Sequence, residues 1–374
     1  MQVNSMRRRV GVVATAQTVL RPAWNEAQHI DLISSVVQRA LKGSGLRIED
    51  VDFVIDSGSD VLDGRSISNC GFLGAMGAHH KEESRVEDDG LWAASYGVAK
   101  IASGAAEVGL IIAYAKPSES EVSKFYSTMA DPFYQRPVGL DNHSAAGLLA
   151  QRYLRETGLR EEHLAELVVQ AWSRAAHNAQ VELPALPKLP TAADVMASPI
   201  VAAPIRQGMM SRPVDGAVAV LLASDAVARR VQTRPVWITG MGSAMDGNVF
   251  AMREPGSSAC AAAARRAYAK AGVQPSAIGL AEISATSAVG ELLALEALGL
   301  AEPGRGIDVV RGARGDTVNR SGGALPADPI MATGLVRLAE VSSQLWATDG
   351  ATRALAHASS GIGAQSHCVF VLES

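Results

Sequence analysis

Aromatic residues are scarce, at 5% of 374 residues. Cysteine is scarcer still. Cys70, Cys260 and Cys368 are the three cysteines, far apart and matching no zinc-ligand spacing. No metal site is therefore expected. An odd number of distant cysteines builds no disulfide framework, so reduced thiols and a cytoplasmic setting are expected. A basic excess is also missing. Lys and Arg number 34 against 38 Asp and Glu, a net charge of −4. That leaves no electrostatic footprint for nucleic acid. No apolar run approaches the length that spans a bilayer. The N-terminus has a basic start, but the apolar run after it is short and contains Thr15 and Gln17. It predicts a strand and not a signal peptide. No G-x-G-x-x-G follows that strand, which argues against a nicotinamide cofactor. The H-x-E…C-x-x-C pattern of zinc deaminases is absent too.

Glycine is abundant, at 35 residues, hydrophobic residues make up 48% and charged residues 19%. This is the balance of a globular chain with a substantial core. The length corresponds to about two to three domains. Small residues suit helices packed closely on sheets. Residues 10–14 predict a strand. Residues 30–41 have helical apolar spacing, stopped by Gly43 and Gly45. Residues 51–55 predict a strand, 91–102 a helix stopped near Gly104, and 108–114 a buried strand. Alternating strands and helices indicate an α/β fold with helix-covered sheets.

An internal repeat organises the chain. Residues 39–45 read Arg-Ala-Leu-Lys-Gly-Ser-Gly, and 266–272 read Arg-Ala-Tyr-Ala-Lys-Ala-Gly. An apolar strand start follows each at the same distance, Val51 in one case and Ile278 in the other. Chance likeness between two amphipathic helices is one reading. Duplication is the other, with halves 1–230 and 231–374 and a large insertion at about 115–215. Pro184, Pro187 and Pro190 predict an extended loop within that insertion.

Four stretches resemble the thiolase superfamily, in the branch of sterol carrier protein x and bacterial lipid-transfer-protein thiolase-like proteins. Residues 90–116 (GLWAASYGVAKIASGAAEVGLIIAYAK) resemble the nucleophile helix and the strand after it. Residues 198–224 (SPIVAAPIRQGMMSRPVDGAVAVLLAS) resemble the segment around Asp-Gly-Ala, and 164–178 the helix before it. Residues 318–335 (VNRSGGALPADPIMATGL) resemble the Asn-x-Ser-Gly-Gly…Gly-His-Pro…Ala-Thr-Gly segment. The resemblance implies a duplicated thiolase-like fold of five layers, αβαβα. It also implies a homodimer and acyl-CoA as ligand. The CoA thioester is then a substrate, and no cofactor is expected.

The departures bear on chemistry. Counting back from Gly104 by the family spacing puts the nucleophilic cysteine at Glu87, so no thiol stands there. Glu87 either moves a proton in the old nucleophile pocket or belongs, with Asp88 and Asp89, to an acidic helix start. The family's oxyanion His or Asn falls on Ser284, and the His of Gly-His-Pro on Ala327. Asp328 is a candidate to supply the lost polar group. His357 matches a histidine before a Gly-rich loop in the sterol carrier branch, and its ordinary pKa suits proton transfer. Expected catalytic residues are thus Glu87, His357 and Ser284. Expected substrate-binding residues are Asn319, Ser321, Gly322, Gly323, Asp328 and His143. His79 and His80 read as a solvated loop. Retro-aldol cleavage or formation of a C–C bond needs bases and an enolate site but no nucleophile, and fits lipid or steroid side-chain metabolism by resemblance. The alternatives are a non-catalytic acyl-CoA-binding or scaffold subunit and an acetyl-CoA acyltransferase. A small OB-fold partner with a zinc ribbon is a further expectation from the resemblance.

Overall fold

Strand β1 (Val10–Gln17) leads into helix α1 (His29–Ser44), which ends at Gly45 with φ of 72°. That left-handed value favours glycine, and it is why the helix stops there. The computed structural model describes residues 8–185, 188–253, 258–350 and 352–374. Strands β2 (Phe53–Ser57) and β3 (Glu82–Val86) follow, then α2 (Gly90–Ala102) and β4 (Val108–Ala115). The segment after β4 carries α3 (Asn142–Thr157) and α4 (Glu161–Ala175) before the chain returns as β5 (Gly216–Ser224). Pro187 of the expected proline loop lies outside the described residues. The rest of the chain runs through β6 (Val236–Met245), α5 (Ser258–Ala271) and β7 (Leu280–Ile283). It continues with α6 (Ala288–Ala297), α7 (Thr333–Ala347), β8 (Arg353–Ser360) and β9 (Ser366–Glu373).

The nine strands pair in the order β3-β2-β4-β5-β1-β6-β9-β8-β7. From β1 outward the pairings are antiparallel to β5, antiparallel to β4, then parallel to β2. From β6 outward they are antiparallel to β9, antiparallel to β8, then parallel to β7. The two runs have the same senses in the same sequence. They meet in a short antiparallel ladder, Val10–Ile238, Gly11–Trp237 and Val12–Val236.

Among the described residues, period-two side chains divide most of the core into three large bodies. On β5, Ala217, Ala219 and Leu221 join α1 residues such as Ile33 and Val36 in one outer core. Val218, Val220 and Leu222 turn inward, to a middle core with Leu91 and Val98 of α2 and Leu335 and Leu338 of α7. On β9, Phe370 and Leu372 face that middle core, while Val369 and Val371 face a second outer core with α3 to α6. The layers are therefore helix, sheet, helices, sheet, helix, the thiolase-like arrangement expected. Alanine-rich α5 lies almost against β6. A Cβ on Gly240 would stand 2.1 Å from the Ala267 carbonyl oxygen, and one on Gly242 2.2 Å from that of Ala263.

A buried polar network fastens the middle layer. Arg337 of α7 donates to Glu282 of β7 at 2.9 Å and to Ser321 Oγ at 2.7 Å. The Ser321 hydroxyl and amide and the Gln344 amide also donate to the Glu282 carboxylate. Asn178 reaches Ser321 O and Glu340, and Gln17 of β1 reaches Glu340. Arg337 and Glu282 are 1% and 0% exposed, so removing one partner strands an unpaired charge. Arg337→Leu should cost about 3–5 kcal/mol of stability. Urea unfolding should give a lower midpoint at unchanged slope, with Arg337→Lys intermediate. An unchanged midpoint would contradict this reading of the network.

Candidate functional site

Helices α2 and α7 begin at one place. Asp89 is the N-cap of α2. Its Oδ1 accepts from the Leu91 amide at 2.8 Å, and its Oδ2 accepts from the Gly334 amide of α7 at 2.7 Å. One carboxylate thus serves the first turns of both central helices. Only glycine fits at 334, because a Cβ there would lie 2.2 Å from Asp89 Oδ1. Asp328 stands just before α7. It accepts from Ser211 Oγ at 2.6 Å, Thr333 Oγ1 at 2.5 Å and the Ile330 amide at 3.1 Å. Both carboxyls are 3% exposed and line a narrow cleft with Tyr126, Ser284 and Ser359. Burial pushes both carboxyls above the usual range, and the charge of Asp328 adds to the rise at Asp89. Burial and the same charge push the Tyr126 phenol up as well.

A cavity of about 270 Å³ adjoins the cleft. Ser284, Thr286, Ser359 and Ala364 line both spaces. Ser284 directly follows β7, and its amide donates to the His357 carbonyl at 3.1 Å. Ser287 caps α6 by accepting from the Gly290 amide at 3.2 Å.

His357 is fully buried on β8 and lines the larger cavity. Its Nε2 lies 2.9 Å from His367 Nδ1, and His367 Nε2 lies 2.8 Å from the Ala364 carbonyl. A carbonyl only accepts, so His367 carries its proton on Nε2. His357 then donates from Nε2, and its Nδ1 keeps a lone pair with no partner among the described residues. Burial holds both imidazoles neutral, with His357 well below its ordinary pKa and His367 lowered to about 4. Cys260 Sγ lies 3.8 Å from His357 Nε2, which makes Cys260, His357 and His367 a cluster of buried ligand types. The two rings are nearly coplanar, at 20°, with centroids 5.3 Å apart. Their facing nitrogens and the Cys260 sulfur all lie within 4.8 Å of one another.

The site differs from the sequence expectation in several places. Glu87 is exposed and does not line the cleft. It accepts from the Asp60 amide at 2.8 Å and from Arg85 Nε at 3.0 Å, within a charge cluster that includes Asp56. The chain stays extended through β3 and turns only at the cap, so the residue that faces inward is Asp89. Ala327 packs in the middle core, and its neighbour Asp328 occupies the cleft. Aligning Gly-His-Pro on Pro329 would have put the histidine on Asp328. Asn319, Ser321, Gly322 and Gly323 are buried but line neither space. Asn319 accepts from the Ile283 amide at 2.6 Å and donates to Glu291 at 2.9 Å, Ser321 serves Glu282, and Gly322 and Gly323 sit in the same turn. His143 is exposed on α3, while its neighbour Asn142 lines the cavity and approaches Thr286 Oγ1 at 3.4 Å. His79 and His80 are exposed. Ser284, Asp328 and His357 remain at the two spaces. Asp89, Asn142, Tyr126 and His367 were missed. Only Asp89 had a local signal, an acidic residue directly before a glycine-led helix.

A fold of this layering, with its polar cleft at the start of two central helices, is thiolase-like. Residues 242–374 match the family described as thiolase C-terminal domain-like. The chain is 27% identical over 354 residues to an acetyl-CoA acetyltransferase of Methanothermobacter thermautotrophicus, covering 90% of this chain and 91% of that protein. It is 28% identical over 271 residues to human sterol carrier protein 2, covering 66% of this chain and 48% of that protein. The solved structure of an Ltp2-ChsH2(DUF35) aldolase superposes with a TM-score of 0.80 at 20% identity, covering 98% of each chain. Human mitochondrial 3-ketoacyl-CoA thiolase gives 0.78 at 18% identity, covering 99% of this chain and 100% of that chain. Together these matches support the thiolase superfamily.

The histidine pair has a signed pH consequence. The unfolded imidazoles take up protons near pH 6.5, while the folded ones resist protonation. The stability that the pair contributes should therefore fall as pH drops from about 6.5 towards about 4. Across that window the urea midpoint of the native chain should fall relative to that of His367→Gln. Equal slopes in the two proteins would mean that the pair is not the source.

Proposed function

We propose that the protein acts on a CoA thioester and breaks or forms a C–C bond in the retro-aldol sense, without a cysteine acyl-enzyme. One observation carries the reading. The cleft at the start of α2 presents the carboxyls of Asp89 and Asp328 beside two helix N-termini, and no cysteine is among the residues lining it. A carboxyl with a raised pKa is a stronger base once ionised. In the proposed direction, Asp328 takes the β-hydroxyl proton of a β-hydroxyacyl-CoA. The Cα–Cβ bond breaks, and a ketone or aldehyde leaves. The electron pair passes into the thioester as an enolate, whose oxygen is held by Ser284 or nearby amide donors and by the positive helix ends. A proton returned to Cα gives the shorter acyl-CoA. Neutral His357 stands at the adjoining wall as a second acid–base group. The aldolase among the structural neighbours and the CoA-named relatives lend the reading support.

An acyltransferase is the second reading, favoured by the 3.8 Å contact between Cys260 Sγ and His357 Nε2. Burial raises the Cys260 thiol well above its ordinary pKa, and neutral His357 supplies no charge to form a thiolate. A non-catalytic acyl-CoA-binding subunit is the third. The proposal also includes a homodimer, for which β3 offers an edge strand of the sheet, a small OB-fold partner with a zinc ribbon, and a cytoplasmic setting.

Incubation with acetyl-CoA and intact-mass measurement should give no covalent adduct. A stoichiometric adduct on Cys260 would establish the acyltransferase reading instead. With a panel of β-hydroxyacyl-CoAs, a carbonyl product and a shortened acyl-CoA should form. Asp328→Asn should lower turnover by about 10²–10⁴-fold, with little change in CoA affinity. Full activity in that variant would remove Asp328 from the chemistry. Light scattering at micromolar concentration should give twice the 39.0 kDa chain mass; a stable monomer would exclude the homodimer.

A further inference from the structure

Three elements meet at one wall of the larger cavity. Helix α5 brings Cys260 in its first turn, β8 brings His357 and β9 brings His367. The thiol and both imidazoles are buried, and the two histidines line the cavity. A thiolate with two neutral imidazoles is a donor set for a zinc-class ion, whereas magnesium and calcium take oxygen ligands. Zn–N bonds of about 2.0–2.1 Å and a Zn–S bond of about 2.3 Å set the edges of a tetrahedral site. They come to about 3.3 Å between nitrogens and about 3.6 Å between sulfur and nitrogen. Here the facing nitrogens of His357 and His367 are 2.9 Å apart, and Cys260 Sγ is 3.8 Å from His357 Nε2. The third edge is within 4.8 Å, and side-chain rotation closes it.

The surroundings suit a cation. His367 holds its Nε2 proton against the Ala364 carbonyl at 2.8 Å, which leaves the Nδ1 lone pair facing the cluster. Such a bond behind the ring is how metal-ligating imidazoles are usually oriented. Burial keeps both imidazoles neutral, the form that ligates. Burial also raises the Cys260 thiol, but a bound ion deprotonates a coordinating thiol outright. Asp246 lines the same cavity, and its negative charge acts on both Cys260 and His367. Arg253 acts on His367 in the opposite sense, with its guanidinium donating to the carbonyls of Gly247, Ile362 and Asn248. Cys260 and His357 are 97 residues apart in the chain, so no sequence spacing announces the group.

We propose that Cys260, His357 and His367 bind one zinc-class divalent ion, with the fourth position open to the cavity. Cys260 gives its proton to solvent and ligates as thiolate. His367 ligates through Nδ1. His357 ligates through Nε2, so its proton moves to Nδ1, which has no partner among the described residues. That unpaired N–H is a cost the metal–ligand bonds have to offset. The bound ion ties α5 to the last two strands. In this state His357 is a ligand and not an acid–base group, and Asp328 remains the base of the reaction proposed above. The pH dependence of the histidine pair belongs to the metal-free chain.

The test is titration of the full chain, first dialysed against a chelator, with Zn²⁺, Co²⁺ and Mg²⁺. Zn²⁺ should bind as one ion per chain, release about one proton and raise the thermal midpoint. Mg²⁺ should do none of these. Co²⁺ should give a thiolate-to-metal charge-transfer band. Loss of a partner behind a ligand already costs about 10–100-fold in affinity, so loss of a ligand should cost at least about 100-fold. Cys260→Ser should therefore weaken Zn²⁺ by at least that factor and abolish the cobalt band. His367→Gln should weaken Zn²⁺ likewise but keep the band at saturating Co²⁺, and it carries the test if Cys260→Ser does not fold. Cys70 is the exposed thiol, and Cys70→Ser should change nothing. Absence of Zn²⁺ binding by the native chain would overturn the proposal. So would a cobalt spectrum without the band, or a band lost in Cys70→Ser. The readout is metal binding and not turnover, so these failures leave the functional reading standing.

Discussion

One carboxylate fixes the geometry on which the cleft depends. Asp89 accepts an amide from its own helix and an amide from the first turn of α7, which comes from the other run of the sheet. Two helix starts that would otherwise repel through their partial positive charges are thereby held together. The arrangement is demanding. Gly334 has to lack a side chain, Asp89 has to be an acceptor on both oxygens, and the chain before it has to arrive extended. Once these conditions hold, Asp328 and Ser284 are carried to the same cleft by α7 and β7. The positive helix ends offset part of the repulsion between two carboxyls whose pKa values burial raises.

The Glu282–Arg337 pair performs a complementary task one layer deeper. It ties β7, the turn at residues 319–323 and α7 into one unit, and Asn178 extends that unit to the segment between β4 and β5. A polar core of this kind stabilises less than an apolar one of equal volume. Its directional bonds nevertheless fix how α7 sits against β7, and hence where Asp328 stands relative to Ser284. The turn that the sequence resemblance assigned to substrate is spent on this purpose.

Strands and helices were legible because their signals are local. Glycine stops at 45 and 272 close matching helices, and fully apolar runs such as 108–114 form the buried strands. The site was less legible because it depends on phase. Between Glu87 and Asp89 the direction of the side chain is decided by where the helix begins, which a count from the far end of that helix does not fix. On α3, a single step of about 100° separates exposed His143 from Asn142 at the cavity wall. Asn319 and Ser321 were recognisable as a motif, but their partners, Glu291 and Glu282, lie 28 and 39 residues away in the chain. No local pattern announces such pairings. His367 was hidden in the same way, as one apparently ordinary position in an apolar strand.

The place of β9 in the sheet has a consequence for synthesis. Residues 366–373 lie between β6 and β8, and they supply inward side chains to the middle core and outward ones to the second outer core. While the ribosome is still making these residues, β6 and β8 have no neighbour between them and His357 has no His367. The first run of strands, from β1 to β5, is already complete once residue 224 has emerged. The two halves of the sheet thus close at different times, and the later one leaves unpaired edges waiting for the last strand. A nascent chain stalled before residue 366 would present those edges to chaperones or to other nascent copies of itself.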